Sequence, residues 1–354
     1  MKKYLFFVSF SYSYAILRPL QDEIWKRGDK VVWFFENPED SKYLYSNEVQ
    51  LKTIEQIFEY NPRAVFVAGN RVYDFIPGVK VQLFHGLIRK RFDTNDHFRI
   101  RGYFDLYCTV GNESTPPYLD AEKKYKYFKV KETGWSKLDN MIVSEDRANE
   151  RPVILYASTF TKKLTSTIHL FETIEHLIKV KDWDWLITLH PKLDKTIIAK
   201  YRQLEKYPNV SFKDTVDTVE LMKKADVMLS DSSSIVAEFL WMQKPVVTFK
   251  NNHPGDYLID IDNPDYVEQS IEKALAHPPE LMANIKAYTD WIHPYRDGQS
   301  SARILDATDD FIQNYQGQLK RKPLNLYRKL KLRKKAGYFP FGSLYKGMNT
   351  DKTE

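Results

Sequence analysis

The sequence predicts an α/β protein built from two doubly wound halves that face each other across a cleft. Three observations carry this. The chain has 354 residues, too many for one ordinary core and enough for two domains of roughly 150 residues each. Apolar residues make up 43% and aromatic residues 14%, so each half has the material for a sizeable core and disorder of the whole chain is excluded. Strand-like runs alternate with helix-like segments, stop at a polar stretch, and start again, which is the signature of βαβ units and parallel sheets.

In the first half, Tyr4–Ser9, Val31–Phe35, Ala64–Val67, Val79–Phe84, Leu106–Val110 and Tyr127–Val130 read as strands. Ala15–Arg27 and Leu51–Tyr60 read as helices. The opening YLFFVSF follows two lysines but is short and lacks a small-residue cleavage pattern, so it reads as a first buried strand and not as a secretion signal. The polar run SEDRANER, Ser144–Arg151, marks the break. In the second half, Val153–Ala157, Trp185–Leu189, Val210–Phe212, Val227–Leu229 and Val246–Phe249 read as strands. The helices between them are Ser166–Lys179, Asp194–Glu205, Val216–Lys224 and Ile235–Gln243. Leu281–Trp291 and Ser301–Asn314 are further helices that could brace the cleft. This divides the chain into residues 1–145, an acceptor-side domain, 151–315, a nucleotide-side domain, and a tail, 316–354.

The chemistry is expected where strands end. The stretch SDSSS, residues 230–234, lies between a strand and a helix, where free backbone N–H groups and the positive end of the helix dipole meet. Small hydroxylated side chains add donors without blocking access, which suits a phosphate or diphosphate. A serine cap with an acidic first turn is the plainer reading of one such junction. Glu238, about one turn further on, stands where a carboxylate could accept from ribose hydroxyls. His190 in TLHP and His85 in FHG each follow a strand, one in each half. An imidazole there suits a general base or a developing phosphate anion. Arg89, Lys90 and Arg91 follow His85 and add positive charge.

Other features point to nothing of comparable weight. Cys108 is the single cysteine, so no disulfide within the chain and no cysteine metal site is expected, which fits a reducing, cytoplasmic compartment. The acidic pairs Asp182/Asp184 and Asp260/Asp262 mimic a DxD metal motif. The first precedes its strand and falls on the wrong rim. Metal-independent chemistry without a cofactor is expected. His97, His169, His176, His253, His277 and His293 show no ligand spacing. No run of 18 apolar residues offers a spanning helix.

The net charge of +6 is unevenly placed. Residues 311–354 hold 11 Lys/Arg against 2 Asp/Glu, so the basic character belongs to the tail. Nine of the sixteen residues in KRKPLNLYRKLKLRKK, 320–335, are basic, with Leu324, Leu326, Tyr327, Leu330 and Leu332 between them. Tyr338, Phe339, Phe341 and Tyr345 follow. A basic helix with an apolar side suits an anionic membrane surface, placing the protein at the inner face of the plasma membrane. A solvated tail and a nucleic-acid-binding tail are the alternatives weighed, and no nucleic acid is expected.

Several motifs follow in order: HG at His85–Gly86, GWSKLD at Gly134–Asp139, STF at Ser158–Phe160, LHP at Leu189–Pro191, SDSSS within ELMKKADVMLSDSSSIVAEFLWMQKPVVTF, and DGQSSAR at Asp297–Arg303. Together, over roughly residues 80–305, they resemble the CDP-glycerol glycerophosphotransferase family of teichoic-acid primases and polymerases. The resemblance implies a GT-B-like fold with two Rossmann-like domains. It implies transfer of glycerol phosphate from CDP-glycerol to a hydroxyl of a lipid-linked or glycan acceptor, with release of CMP. By the same resemblance His85 matches the family's base and His190 a histidine near the diphosphate. Ser230, Ser232, Ser233, Ser234, Glu238, Thr159, Lys137 and Asp139 fall on the nucleotide side, and Asp297, Gly298, Ser301 and Arg303 match a late DG motif. Ser232 stands where the family commonly has tyrosine, and Ser136–Lys137 where it has proline–arginine. Another CDP-polyol such as CDP-ribitol, a GT-B glycosyltransferase using a nucleotide sugar, and a non-catalytic nucleotide-binding scaffold are the other readings.

Overall fold

The computed structural model describes residues 1–87, 98–142, 149–215 and 217–338. Arg89–Arg91, His97, Ser144, Phe339, Phe341 and Tyr345 lie outside the described residues.

The first sheet has the strand order β3-β2-β1-β4-β5-β6-β7. Its strands are β1 (Lys3–Val8), β2 (Lys30–Phe35), β3 (Gln50–Leu51), β4 (Ala64–Val67), β5 (Val79–Gln82), β6 (Leu106–Thr109) and β7 (Lys129–Glu132). The second has the order β10-β9-β8-β11-β12-β13. It is built from β8 (Val153–Ser158), β9 (Asp184–Leu189), β10 (Val210–Phe212), β11 (Val227–Ser230), β12 (Val246–Phe249) and β13 (Ile259–Ile261). Every pairing in both sheets is parallel. Each sheet therefore reverses its winding once, between β1 and β4 and between β8 and β11. A crevice opens at such a switch point beyond the carboxyl ends of the strands. The two expected Rossmann-like domains are present.

Strand positions follow from near-continuous apolar runs, as in parallel sheets covered on both faces. KYLFFV and KVVWFF are buried from their second residue onward. The helices in the first half are α1 (Tyr14–Lys26), α2 (Ile54–Tyr60) and α3 (Thr115–Tyr125). The α2 start is fixed by a capping box in which Thr53 and Gln56 satisfy each other's backbone. The second half has α4 (Thr167–Val180), α5 (Lys195–Arg202), α6 (Val219–Lys224), α7 (Ile235–Trp241), α8 (Val267–Leu275) and α9 (Pro279–Ile292). Then come α10 (Ser300–Asn314) and α11 (Leu326–Ala336). Sequence reading does not find β3, α3, β13 or α8. In α3, two prolines in the first turn hide an ordinary helix, since proline is tolerated at N1.

Three apolar layers result. One covers the outer face of the second sheet, with Tyr156, Trp185 and Tyr201. One covers the outer face of the first sheet, with Phe7, Phe34 and Tyr107. The third is shared. It runs from Tyr4, Phe6 and Trp33 through Trp135, Leu138 and Met141 to Leu155, Met228 and Phe239.

Two segments sit differently from expectation. The sequence groups α10 with the second half, but α10 lies against the first. Arg27 and Asp306 pair at 2.6 Å, Lys2 and Asp309 at 2.5 Å, and Lys131 and Asp310 at 2.9 Å. The acidic side of α10 thus answers bases on the first half. The basic tail is also not a free helix. It starts only after Pro323, a helix breaker, and docks on the first sheet's outer layer. Leu332 is buried there, Arg333 pairs with Asp74 at 3.0 Å, and Tyr338 stacks on Phe75 at 4.2 Å.

The connection from α9 to α10 is held by His293, 1% exposed, whose Nε2 accepts the Trp135 N–H at 2.9 Å. Gly134 has φ +78°, and a Cβ there would meet Ser300 Oγ at 2.6 Å and His293 Nε2 at 2.8 Å. Burial pushes the His293 imidazole down from 6.5 to about 4. The unfolded chain takes up this proton near pH 6.5 and the folded protein only near 4. Stability therefore falls as pH drops through that window, by roughly 3 kcal/mol. His293→Gln keeps an acceptor for Trp135 and removes the titration. Urea unfolding between pH 7 and 4 is expected to show a flatter loss of stability in this variant than in the wild type.

Candidate active site

Asp231 organises the second sheet's switch point. It is fully buried. Its carboxylate accepts from Ser158 Oγ at 2.5 Å, Thr159 N at 3.1 Å, and Ser166 N at 3.0 Å. The ends of β8 and β11 are thereby tied into one rim. Burial raises its carboxyl pKa, and the hydrogen bonds from Ser158, Ser166 and Thr159 pull the other way. Sequence reading missed this role. A charged residue between serines at a buried strand end was the available signal.

The four serines divide by environment. Ser230 is buried and donates to the Ala157 carbonyl at 2.6 Å. Its single hydroxyl proton is thereby spent on the backbone. Ser232 Oγ accepts the Asn252 N–H at 2.9 Å, which leaves its hydroxyl proton. Ser233 is half-buried and Ser234 exposed. Neither hydroxyl is hydrogen-bonded among the described residues, and Ser234 makes no side-chain cap on α7. The loop after β12 also belongs to this rim. Asn251 donates to the Asp231 carbonyl at 3.1 Å, and Asn252 to Ser232.

The Gly134–Asp139 turn comes from the first half and meets the second. Lys137, in the 3-10 turn Ser136–Asn140, donates to Glu238 Oε2 at 2.5 Å, with both side chains nearly buried. Two residues expected on the nucleotide side are thus together, but as partners of each other. A Glu238 carboxylate engaged by an ammonium is a poorer acceptor for ribose. Asp139 accepts from Ser300 N at 2.9 Å and Ser301 N at 2.7 Å. It satisfies the first orphan donors of α10, a structural contact. Thr159 gives its backbone N–H to Asp231. In the late motif, Asp297 and Arg303 pair with each other, and Gly298 lies beside the Asp139 segment.

The two histidines stand on facing rims. His190 follows β9. Its Nδ1 accepts the Lys192 N–H at 3.1 Å, and its ring lies 4.3 Å from Phe160. His85 follows β5 and is exposed. The residue before it, Phe84, holds φ +60°, a strained conformation for a bulky side chain. Phe84 is locked by Tyr118 at 5.0 Å, and the turn swings His85 outward. Tyr12 lies 5.7 Å from the His85 ring, and Phe10 stacks on Tyr12 at 5.2 Å. Lys192 then crosses the cleft, 5.8 Å from Phe10 and 5.7 Å from Phe160. An unbroken series of rings and one cation joins His85 to His190. Tyr12 and Phe10 were missed by sequence reading, although they directly follow the first strand.

Asp182 and Asp184 lie at the amino end of the second sheet, both paired with Arg151. Asp260 accepts from Thr248 Oγ1 and Asn251 N. Among the described residues no three His, Cys, Asp or Glu side chains form a metal-binding group.

Removing one partner of a buried ion pair leaves the other charged and alone. Lys137→Met is expected to lower the unfolding free energy by about 3–5 kcal/mol. Lys137→Met with Glu238→Leu is expected to recover most of it. A double-mutant cycle in urea measures the coupling.

Comparison with known proteins fits this geometry. The chain is similar to the teichoic acid glycerol-phosphate primase of Bacillus subtilis (strain 168), with 27% identity over 176 residues, 46% of this chain and 44% of that one. It is also similar to the UDP-N-acetylglucosamine 2-epimerase of Methanocaldococcus jannaschii, with 23% identity over 142 residues, 39% of this chain and 38% of that one. The chain thus aligns with less than half the length of either relative. A structure of the wall teichoic acid polymerase TagF soaked with CDPG superposes over 89% of this chain and 90% of that one. Its TM-score is 0.63 at 17% identity, which shows the shared GT-B-like fold. These similarities support the resemblance to teichoic-acid glycerophosphotransferases. Residues 130–309, from the Lys137 turn through Arg303, match the family model described as UDP-N-acetylglucosamine 2-epimerase, and the chain belongs to that family.

Proposed function

We propose that the protein is a transferase that moves glycerol phosphate, or a related polyol phosphate, from a CDP-linked donor to a hydroxyl of a lipid-linked or surface glycan acceptor. The observation that carries this reading is the placement of His85 and His190 on facing rims, joined through Tyr12, Phe10, Lys192 and Phe160. The similarity to the primase supports the reaction class.

In this reading the diphosphate docks at Ser232, Ser233 and Ser234, on the rim that Asp231 holds together. The acceptor hydroxyl approaches from the first half. His85 takes its proton as the acceptor oxygen bonds to the glycerol-bearing phosphorus. The bond from that phosphorus to the oxygen bridging the two phosphates breaks, and CMP leaves with the electron pair. In this reading His190 stabilises the charge that builds up. Each positioned acid–base group contributes about 10²–10⁴-fold.

The family match favours a second reading, epimerisation of a nucleotide sugar. The matched residues cover the nucleotide side and leave out most of the first half, so they bear on nucleotide binding more than on chemistry. One assay separates the readings. The protein is incubated with CDP-glycerol and a glycan acceptor, with UDP-sugars and the acceptor, or with UDP-N-acetylglucosamine alone. CMP release indicates the first reading, UDP release a glycosyltransferase, and a C2 epimer the second. His85→Ala and His190→Ala are each expected to lower CMP release at least about 100-fold with circular dichroism unchanged. Near-normal rates in both would remove the site assignment.

Membrane association belongs to the same reading. The outward side of α11 leaves Leu326, Tyr327 and Leu330 exposed, with Leu324 before it. Lys331 and Lys334 are exposed on the same helix. No helix among the described residues is long and apolar enough to cross a membrane. Replacing Leu326, Tyr327 and Leu330 together by Gln leaves the docked Leu332 in place. Sedimentation with anionic liposomes is expected to show at least a tenfold lower bound fraction for this variant.

A further inference from the structure

The cleft holds two cations that the diphosphate rim does not use. Arg71 follows β4, at the first sheet's switch point. Its Nε and Nη2 donate to one oxygen of Glu36, at 3.1 and 2.5 Å. Its guanidinium carbon stands 5.7 Å from the centre of the Phe10 ring. Nη1 makes no hydrogen bond among the described residues. Lys192 approaches the same ring from the other half, at 5.8 Å, and makes no ion pair among the described residues. One aromatic ring thus gathers a guanidinium from one half and an ammonium from the other.

The local charge is not balanced. Glu36 is the carboxylate that engages Arg71, and it also accepts from Lys335 of α11 at 2.8 Å. Its side chain is 2% exposed, so it holds Arg71 in place and does not reach into the cleft. Arg71 and Lys335 share this one carboxylate, and Lys192 has no carboxylate partner among the described residues. A planar guanidinium with one edge tied and one edge open suits a phosphate oxygen. Close by, Gly69 packs against Ser9 and Phe10. A Cβ there would sit 3.8 Å from Ser9 Cβ and Oγ, and Ser9 Oγ is buried without a partner.

We propose that Arg71 and Lys192 form an anion subsite around Phe10, separate from the serine rim, that holds a phosphate already carried by the acceptor. The subsite lies on the path between His85 and His190, so a phosphate bound there sets the distance from the acceptor's terminal hydroxyl to the donor. Glu36 is a positioning residue for Arg71. The acceptor class is then a polyol or glycan chain bearing a phosphate monoester or diester, which a neutral sugar does not match. This assignment rests on the transferase reading for the word acceptor; the anion subsite itself does not.

The test uses the full chain and sn-glycerol 3-phosphate as a soluble probe, followed by calorimetry, with CMP as the probe of the serine rim. Wild type is expected to bind both. Arg71→Gln and Lys192→Gln are each expected to weaken glycerol 3-phosphate at least tenfold while CMP affinity stays within twofold. In turnover, the same variants are expected to raise KM for a phosphate-bearing acceptor and leave KM for the CDP-linked donor unchanged. Both side chains are solvent-facing, and unchanged thermal unfolding checks the fold. No binding of glycerol 3-phosphate by wild type at millimolar concentration overturns the proposal. So does equal binding by both variants, or a matching loss of CMP affinity. If the probe behaves as expected but a CDP-linked donor yields no CMP, the transferase reading falls and the anion subsite stands.

Discussion

Taking Lys137 and Glu238 out of water costs several kcal/mol per ion, and only their mutual approach offsets it. The pair forms only when the Ser136–Asn140 turn of the first half meets α7 of the second. It therefore acts as a registration device. Asp139, two residues on, repeats the logic by capping α10. Trp135, two residues before Lys137, is fixed by His293. One short turn thus sets how the second half sits against the first, and hence whether His85 and His190 face each other at all.

The rims themselves are built by different physics. On the second sheet a buried carboxylate collects donors from two strand ends, and the loop conformation follows from satisfying Asp231. On the first sheet the device is steric. Phe84 is forced to positive φ, and its ring is locked among Tyr107 and Tyr118. A charge hub makes one rim firm, and a strained turn presents an imidazole outward on the other.

Much of the architecture was legible because parallel strands buried on both faces read as apolar runs, such as VILYAS and VVTF. The placement of SDSSS, His85 and His190 at strand ends followed from the same reading. What was not legible is informative. That Ser230 turns inward and Asp231 bonds to Ser158 depends on how β8 and β11 neighbour each other. The pairing of Lys137 with Glu238 spans 101 positions, and no local pattern encodes it. The seat of α10 depends on Arg27, Lys2 and Lys131, which in sequence look like ordinary surface bases. Phe10 and Tyr12 were not singled out, because their importance comes only from what approaches across the gap.

The return of α10 to the first half means that the polypeptide bridges the halves twice, once after Met141 and once through His293–Gln299. Both bridges lie near the same turn, since Trp135 touches His293 and Asp139 reaches Ser300. Sliding one half over the other would break the Trp135–His293 and Asp139–Ser300 hydrogen bonds together, so a single turn carries both the registry of the halves and the seat of α10.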